Sequence, residues 1–186
     1  MARAIVCVAE LGAIVAKTQL ASGIRWGEAA ECSAVDGGTL DPAWIDWFIE
    51  RGAKIVVAER DDQVVGHVAY LTRELVPQYD WLSLKLQPGK DVLSVGGFVT
   101  PRFRGQGLLG SMKGFAARHF IAEGYRRNVS VVDAGNRASL KAHRSIGAYP
   151  TARLWRVRIG RLVIVSRDFR PCHATWGEKQ RFIFAV

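Results

Sequence analysis

The sequence predicts a mixed α+β fold built on one mixed sheet, and three stretches carry that expectation. Residues 54–59 and 63–71 are β-rich runs on either side of Arg60-Asp61-Asp62, which predicts an antiparallel hairpin turning at the aspartates. Residues 92–99 form an apolar run that stops at Thr100-Pro101 and gives way to a pattern of helical period. Residues 128–132 are a short strand beyond that helix, and a helical connection makes the two strands parallel.

Composition bounds the answer. A chain of 186 residues with 49% hydrophobic content can bury a substantial core, and one domain spanning 1–186 is expected. Lys and Arg number 26 against 17 Asp and Glu, a formal net charge of +9, so the surface should attract polyanions. The basic residues are scattered, which fits a soluble basic protein better than a nucleic-acid binder. Cys7, Cys32 and Cys172 contain no C-x-x-C pair and suggest neither a disulfide framework nor a zinc knuckle, so no metal is expected and a reducing cytoplasm fits best. No apolar stretch approaches the ~20 residues of a spanning helix, and Glu10 interrupts the apolar N-terminal run before it resembles a signal-peptide core.

In chain order, residues 3–9 read as a short buried strand, and Leu11, Ile14, Val15 and Thr18 as a helical face. Residues 21–40, with four glycines, read as a loop able to shape a substrate site, with Trp26, Glu28 and Glu31 as weak candidates. Asp41-Pro42 starts a helix that Gly52 closes, and core packing explains its Trp44, Ile45, Trp47 and Phe48 stripe. Gly66 marks a bulge in the second hairpin strand. Residues 74–90 read as an aromatic-bearing loop. The helix after residue 104 carries Leu108, Met112, Phe115, Ala116 and Phe120 on one face and stops at Gly124. A second helix is capped by Asn136, sets Leu140, His143 and Ile146 inward and stops at Gly147. For the remainder two endings stay open: a hairpin turning at Gly160, or a last strand in the final six residues.

The turn Gly105-Gln106-Gly107 is read as the first turn of its helix, where backbone N–H groups lack partners and an anion can approach closely. Arg102 and Arg104 lie just ahead and could add charge-assisted bonds. This is a phosphate cradle. The stretch 105–110 also matches G-x-G-x-x-G, but Pro-Arg-Phe-Arg separates it from its strand and the preceding segments form an antiparallel hairpin, so the dinucleotide reading loses.

The run Thr100-Pro101-Arg102-Phe103-Arg104-Gly105-Gln106-Gly107, after Gly97-Phe98-Val99, closely resembles the acetyl-CoA motif of the GNAT superfamily of N-acyltransferases. Asn136 to Ala148 resembles that family's following helix, N-x-x-A-x-x-x-Y-x-x-x-G-F. Three departures stand out: Leu109 where many members have a small residue, His143 in place of the tyrosine that protonates the leaving thiolate, and Ala148 in place of an aromatic, with Tyr149 one step later.

The resemblance implies a GNAT-like fold, a twisted and mostly antiparallel sheet that splays at the acyl-CoA site. It implies that Gly97, Phe98 and Val99 pair with the pantetheine amides and that Gln106, Leu108, Leu109 and Gly110, with Gly105 and Gly107, hold the pyrophosphate. Arg102 and Arg104 would lie near the phosphates, and Asn136 counts among the cofactor contacts. The Val99 N–H would polarise the thioester carbonyl and His143 would stand as the acid, a role its ordinary pKa of about 6.5 allows. Asp133, His67 and Glu59 are candidate bases, none preferred. The implied activity is transfer of an acetyl or short acyl group from acyl-CoA to a primary amine of a small molecule or protein. Two alternatives stand beside it: an inactive acyl-CoA-binding or sensing module, and an enzyme acting on a macromolecular polyanion such as aminoacyl-tRNA or a carrier protein. No membrane partner is expected, and a homodimer is left open because similar proteins commonly form one.

Overall fold

Strand β1 (Ala2–Glu10) shows how the sequence sorts itself into layers. In the computed structural model, which describes residues 2–35, 46–47, 49–79, 81–168, 170–176 and 182–186, Ala4, Val6 and Val8 enter one core while Cys7 and Ala9 enter another. Successive side chains of a strand point to opposite faces, so one apolar run serves two cores. After β1 come α1 (Leu11–Lys17), β2 (Ile24–Gly27), β3 (Lys54–Arg60), β4 (Gln63–Leu71), β5 (Leu75–Tyr79), β6 (Leu82–Lys85) and β7 (Asp91–Val99). Then follow α2 (Leu108–Ala122), β8 (Arg127–Asp133), α3 (Arg137–Ser145), β9 (Tyr149–Ile159), β10 (Leu162–Arg167), β11 (Arg170–Trp176) and β12 (Phe182–Ala185).

Among the described residues nine strands form one sheet in the order β11-β10-β9-β1-β8-β7-β4-β3-β2, antiparallel throughout except for β7 and β8. Three more, in the order β12-β6-β5, make a small sheet. Its Val76, Leu82, Leu84 and Phe184 pack with Trp81 on the large sheet's first face. On the second face Leu11 and Ile14 of α1, and Leu108, Met112, Ala116 and Phe120 of α2, are buried with Val56, Val68 and Val92. Each such side chain contributes about 1.5–3 kcal/mol when fully buried, which anchors α2 to the sheet. The α2 stripe predicted from the sequence is the one observed, although Phe115 is only partly buried. Its end also agrees, since Glu123 is the cap and Gly124 follows with φ +93.

The hairpin turns where expected, at Asp61 and Asp62, with φ of 50 and 60. The register shift beside Gly66 confirms the bulge in β4. Four readings change. Residues 21–40 are not merely a loop: β2 and a 3-10 turn over Ala29–Ala34 lie within them. Residues 74–90 are likewise not a loop but hold β5 and β6, paired antiparallel. The Gly105-Gln106-Gly107 turn precedes the helix rather than forming its first turn, since α2 starts at Leu108 with Gly107 as its cap. Both endings occur together, β9 and β10 as a hairpin around Gly160 and β12 as a strand parallel to β6. For the helix read from Asp41-Pro42, residues 46–47 and 49–50 are helical, while its predicted cap, Pro42, Trp44, Ile45 and Phe48 lie outside the described residues.

The one parallel pair positions the site. β7 and β8 are joined only through Asp91↔Arg127, Val92↔Asn128, Leu93↔Val129 and Ser94↔Ser130. The sequence pins both ends of this short register. At the first rung buried Asp91 accepts two bonds from the Arg127 guanidinium, at 2.7 and 2.8 Å. At the last, Ser94 and Ser130 hydroxyls meet at 2.7 Å. Beyond Ser94, β7 continues beside β4 to Val99 and β8 continues beside β1 to Asp133, but no longer beside each other. The strands splay.

Candidate functional site

Beside the splay, β7 carries one residue too many. His67 and Ala69 of β4 face Phe98 and Val95, so two residues of one strand span three of the other. Gly96 absorbs the extra residue with φ +59, a conformation that a side chain would strain. Gly96 and Gly97 are exposed, and among the described residues the backbone of residues 95–99 on the side away from β4 has no strand partner. That edge is available to an extended ligand that offers amide groups.

The edge runs into a glycine turn whose backbone an anion could approach. Gly105 and Gly107 have φ of +79 and +74, and a Cβ placed on either would meet nothing within 4 Å, so the backbone there faces open space. α2 starts at once, a 15-residue helix whose first N–H groups, at Leu108, Leu109 and Gly110, have no partners within the helix. Leu109 lies against Gly97, its Cδ1 3.4 Å from where a Cβ would stand, and so lines the mouth of the splay. The two arginines turn back on the protein. Arg104 Nε donates to the Val99 carbonyl at 2.9 Å with its guanidinium 5.6 Å from the Phe98 ring centre, and Arg102 donates to Gln63 Oε1 at 3.4 Å. Both are exposed. Gln106 Nε2 reaches the Arg102 carbonyl at 3.5 Å.

A polar cluster lies at the apex, sandwiched between the sheet and the helices. Lys113 of α2 is only 3% exposed. Its Nζ donates to Ser94 Oγ at 2.8 Å, Ser130 Oγ at 3.2 Å and His143 Nε2 at 3.2 Å, with Asn128 Oδ1 at 3.4 Å. All four acceptors are neutral, and among the described residues no carboxylate forms an ion pair with it. Burial pushes the Lys113 pKa down to about 7.

His143 sits on the inward face of α3, as its spacing predicts. Its Nδ1 lies 2.8 Å from the Ser139 carbonyl, which can only accept, so Nδ1 carries the proton and Nε2 accepts from Lys113. Burial, and then the Lys113 charge, push its pKa down to about 3. The ring is therefore neutral at pH 7, whereas the sequence suggested an imidazolium of ordinary pKa; desolvation and a neighbouring cation are the physical reason. Asn136 accepts from the Ser139 N–H at 3.0 Å and caps α3, which occupies its carbonyl oxygen and leaves its NH2 group for a ligand.

The other sequence candidates are held elsewhere. Glu59 Oε2 accepts from Arg25, Asp133 Oδ1 accepts from the Gly135 N–H at 2.7 Å, and Glu28 and Glu31 form a capping box. Trp26 packs edge-on against Phe115, His119 and Phe120 as part of the core. His67 is fully buried on β4 beside Phe98, and burial pushes its pKa down to about 4 against a weaker pull from the Gly96 backbone. A cavity of about 360 Å³ lined by Glu50, Arg51, Leu71 and Arg73 opens at the far end of β4. Leu71 pairs with Leu93 and Gly66 with Val99, so this cavity is remote from the glycine turn. A smaller one, about 20 Å³, touches Cys7, Leu140, His143 and Arg144. Among the described residues no group of three or more His, Cys, Asp or Glu is placed to hold a metal, and no helix is long and apolar enough to cross a membrane.

Sequence reasoning missed Lys113, Ser94, Asn128 and Ser130. The available signal was three polar residues interrupting otherwise apolar strands, Ser94 on β7 and, two positions apart on one face of β8, Asn128 and Ser130.

Similarity to known proteins follows this geometry. A model of the acetyltransferase (GNAT) family matches residues 23–148. A conserved protein of unknown function from Staphylococcus epidermidis superposes with a TM-score of 0.60 at 16% identity, over 82% of this chain and 59% of its own. A protein from Novosphingobium aromaticivorans, described as an acetyltransferase of the GNAT family, gives 0.58 at 18% identity, over 82% of this chain and 61% of its own. The chain thus spans about three fifths of the length of these two. The aminoglycoside N-acetyltransferase AAC(6')-Iy, in complex with CoA, gives 0.55 at 21% identity, over 74% of this chain and 97% of its own. No curated protein matches the sequence.

Proposed function

The chain belongs to the GNAT acetyltransferase family, and from that premise we propose that it transfers an acetyl or short acyl group from acyl-CoA to a primary amine. The observation that carries this reading is the continuity of three features: the unpaired β7 edge at residues 95–99, the glycine turn with open space above it, and the free N–H groups of α2. Amides, then a diphosphate, could be bound in that order along one path, which matches the layout of CoA. Gly97, Phe98 and Val99 would take the pantetheine arm, and Gly105 to Gly110 the diphosphate, with the Asn136 NH2 group as a further contact. Arg102 and Arg104 are exposed and would reach the phosphates only by leaving Gln63 and the Val99 carbonyl. The free thiols of Cys7 and Cys32 support a reducing compartment such as the cytoplasm.

When bound, acyl-CoA supplies the activated carbonyl. The residues of this chain orient it, shield the apex from water and accept or supply protons there. An aminoglycoside is the acceptor of one structural relative, and a polycationic amine is a fair first probe; of the 21–40 stretch read as shaping the acceptor site, residues 36–40 lie outside the described residues. A second reading, binding without turnover, is favoured by the neutral His143 ring, both of whose nitrogens are already engaged.

Calorimetric titration with acetyl-CoA tests the assignment, alongside Gly107→Trp, whose side chain fills the turn. Micromolar binding by the wild type that the variant lacks is the expected outcome. If the wild type binds neither acetyl-CoA nor longer acyl-CoAs, the reading fails. Thiol release with an amine present then separates transfer from binding alone.

A further inference from the structure

Lys113 presents a problem that the family motif does not solve. An ammonium group removed from water costs several kcal/mol unless it is paired, and its partners here are two hydroxyls, an amide oxygen and an imidazole, all neutral. The facing groups come from every element around it. β7 presents Ser94, β8 presents Asn128 and Ser130, α3 presents His143, and β1 brings Cys7, whose thiol burial pushes up and which has Arg144 beside it. None of these is an anion at neutral pH. Positive potential is therefore stored, uncompensated, at the apex of the splay.

The position is informative too. Ser94 and Ser130 are the last residues joining β7 to β8, and beyond them the strands separate. Their hydroxyls touch each other at 2.7 Å and both accept from Lys113. A proton can thus pass from Nζ through a hydroxyl to an atom lodged at the apex while the ammonium stays buried. His143 contributes as a neutral acceptor that orients Nζ.

We infer that Lys113 is the proton donor to the departing thiolate, with Ser94 and Ser130 as the conduit and His143 as a positioning residue. This rests on the acyl-CoA reading above. The amine nitrogen bonds to the thioester carbon, the C–S bond breaks, and the electron pair leaves on sulfur. Lys113 gives that sulfur a proton through the serine hydroxyl, and the proton shed by the amine restores the ammonium. The direction is favourable, since Lys113 titrates at about 7 and a free thiol at about 8.5.

The test compares binding of CoA with binding of desulfo-CoA, from pH 6 to pH 9, by wild type and Lys113→Met. A cation within ~4–6 Å lowers the pKa of an acidic group by about 1–3 units, and Lys113 titrates at about 7, so the wild type's preference for CoA should peak several-fold between about pH 7 and 8.5, where Lys113 and the thiol together hold one proton, and fall again by pH 9. In Lys113→Met the preference should stay flat while desulfo-CoA still binds. A preference with the same pH profile in both proteins, peaked or flat, overturns the inference and leaves the cofactor site standing. Failure of the wild type to bind either compound overturns both. Should Lys113→Met not fold, NMR of the wild-type Lys113 side chain decides. Its titration should move up on adding CoA and not on adding desulfo-CoA; equal movement with both overturns the inference.

Discussion

At the scale of single residues, burial of basic groups sets how this protein responds to acid. His67 is fully buried with its pKa pushed down from 6.5 to about 4, and His143 moves the same way to about 3. Both are neutral in the fold, whereas the unfolded chain takes up protons once pH drops below 6.5. The stability they permit is complete above pH 6.5 and is lost as pH falls through 6.5 toward 4 for His67 and toward 3 for His143. For His67 the full swing is about 3 kcal/mol at ~1.36 kcal/mol per unit. Urea unfolding at pH 7 and pH 4.5 should show the wild type losing more stability on acidification than His67→Leu; equal losses would refute the assignment. His143 was legible in the sequence because a motif position and a three-residue spacing both pointed at it. Its charge state was not, because that depends first on burial in the folded chain and then on Lys113, thirty positions earlier and on another helix. Lys113 itself follows Met112 and reads as a surface lysine. Only the polar lining of Ser94, Asn128 and Ser130 makes its burial tolerable.

At the scale of elements, α1 and α2 meet so closely that a glycine is required. A Cβ at Gly114 would overlap Thr18, whose hydroxyl is tied to the Ile14 carbonyl at 2.8 Å. Alanine is the better helix former by about 1 kcal/mol, yet the overlap should win. Gly114→Ala is expected to lower stability by about 1–3 kcal/mol, and Thr18→Gly in the same chain should recover part of it. A more stable Gly114→Ala protein in urea would show that the helices can move apart. Sequence pattern was adequate for elements with one strong period: the β3–β4 hairpin with its aspartate turn, and α2 with its apolar face. It failed where signals conflicted. Pro77 sits inside β5, β2 lies in a glycine-rich stretch, and both strands gain their partners from segments remote in the chain or on one edge only. The glycine turn was legible because glycines at 105 and 107 are a local requirement. The splay was expected from the resemblance alone, since strand separation depends on which rungs are missing.

At the scale of the whole molecule, the small sheet covers the face opposite the helices, and β12 locks it in place. Phe184 is 4% exposed within that core, and the Arg167 guanidinium at the end of β10 lies 4.9 Å from its ring centre. Phe184→Ala should cost about 3–5 kcal/mol, read as a lower urea midpoint; a loss below about 1 kcal/mol would mean the small sheet closes without it. The large sheet has a mechanical weakness at its middle. Four strands on one side and five on the other meet along only four rungs, clamped by Asp91 and Arg127 at one end and by two serines at the other. It is two plates sharing a short hinge line, with α2 packed over the β7-β4-β3-β2 plate and its Lys113 bonded to a serine on each side of the joint. An occupant that bonds to residues 95–99 extends that line, so filling the site also stiffens the frame that holds it.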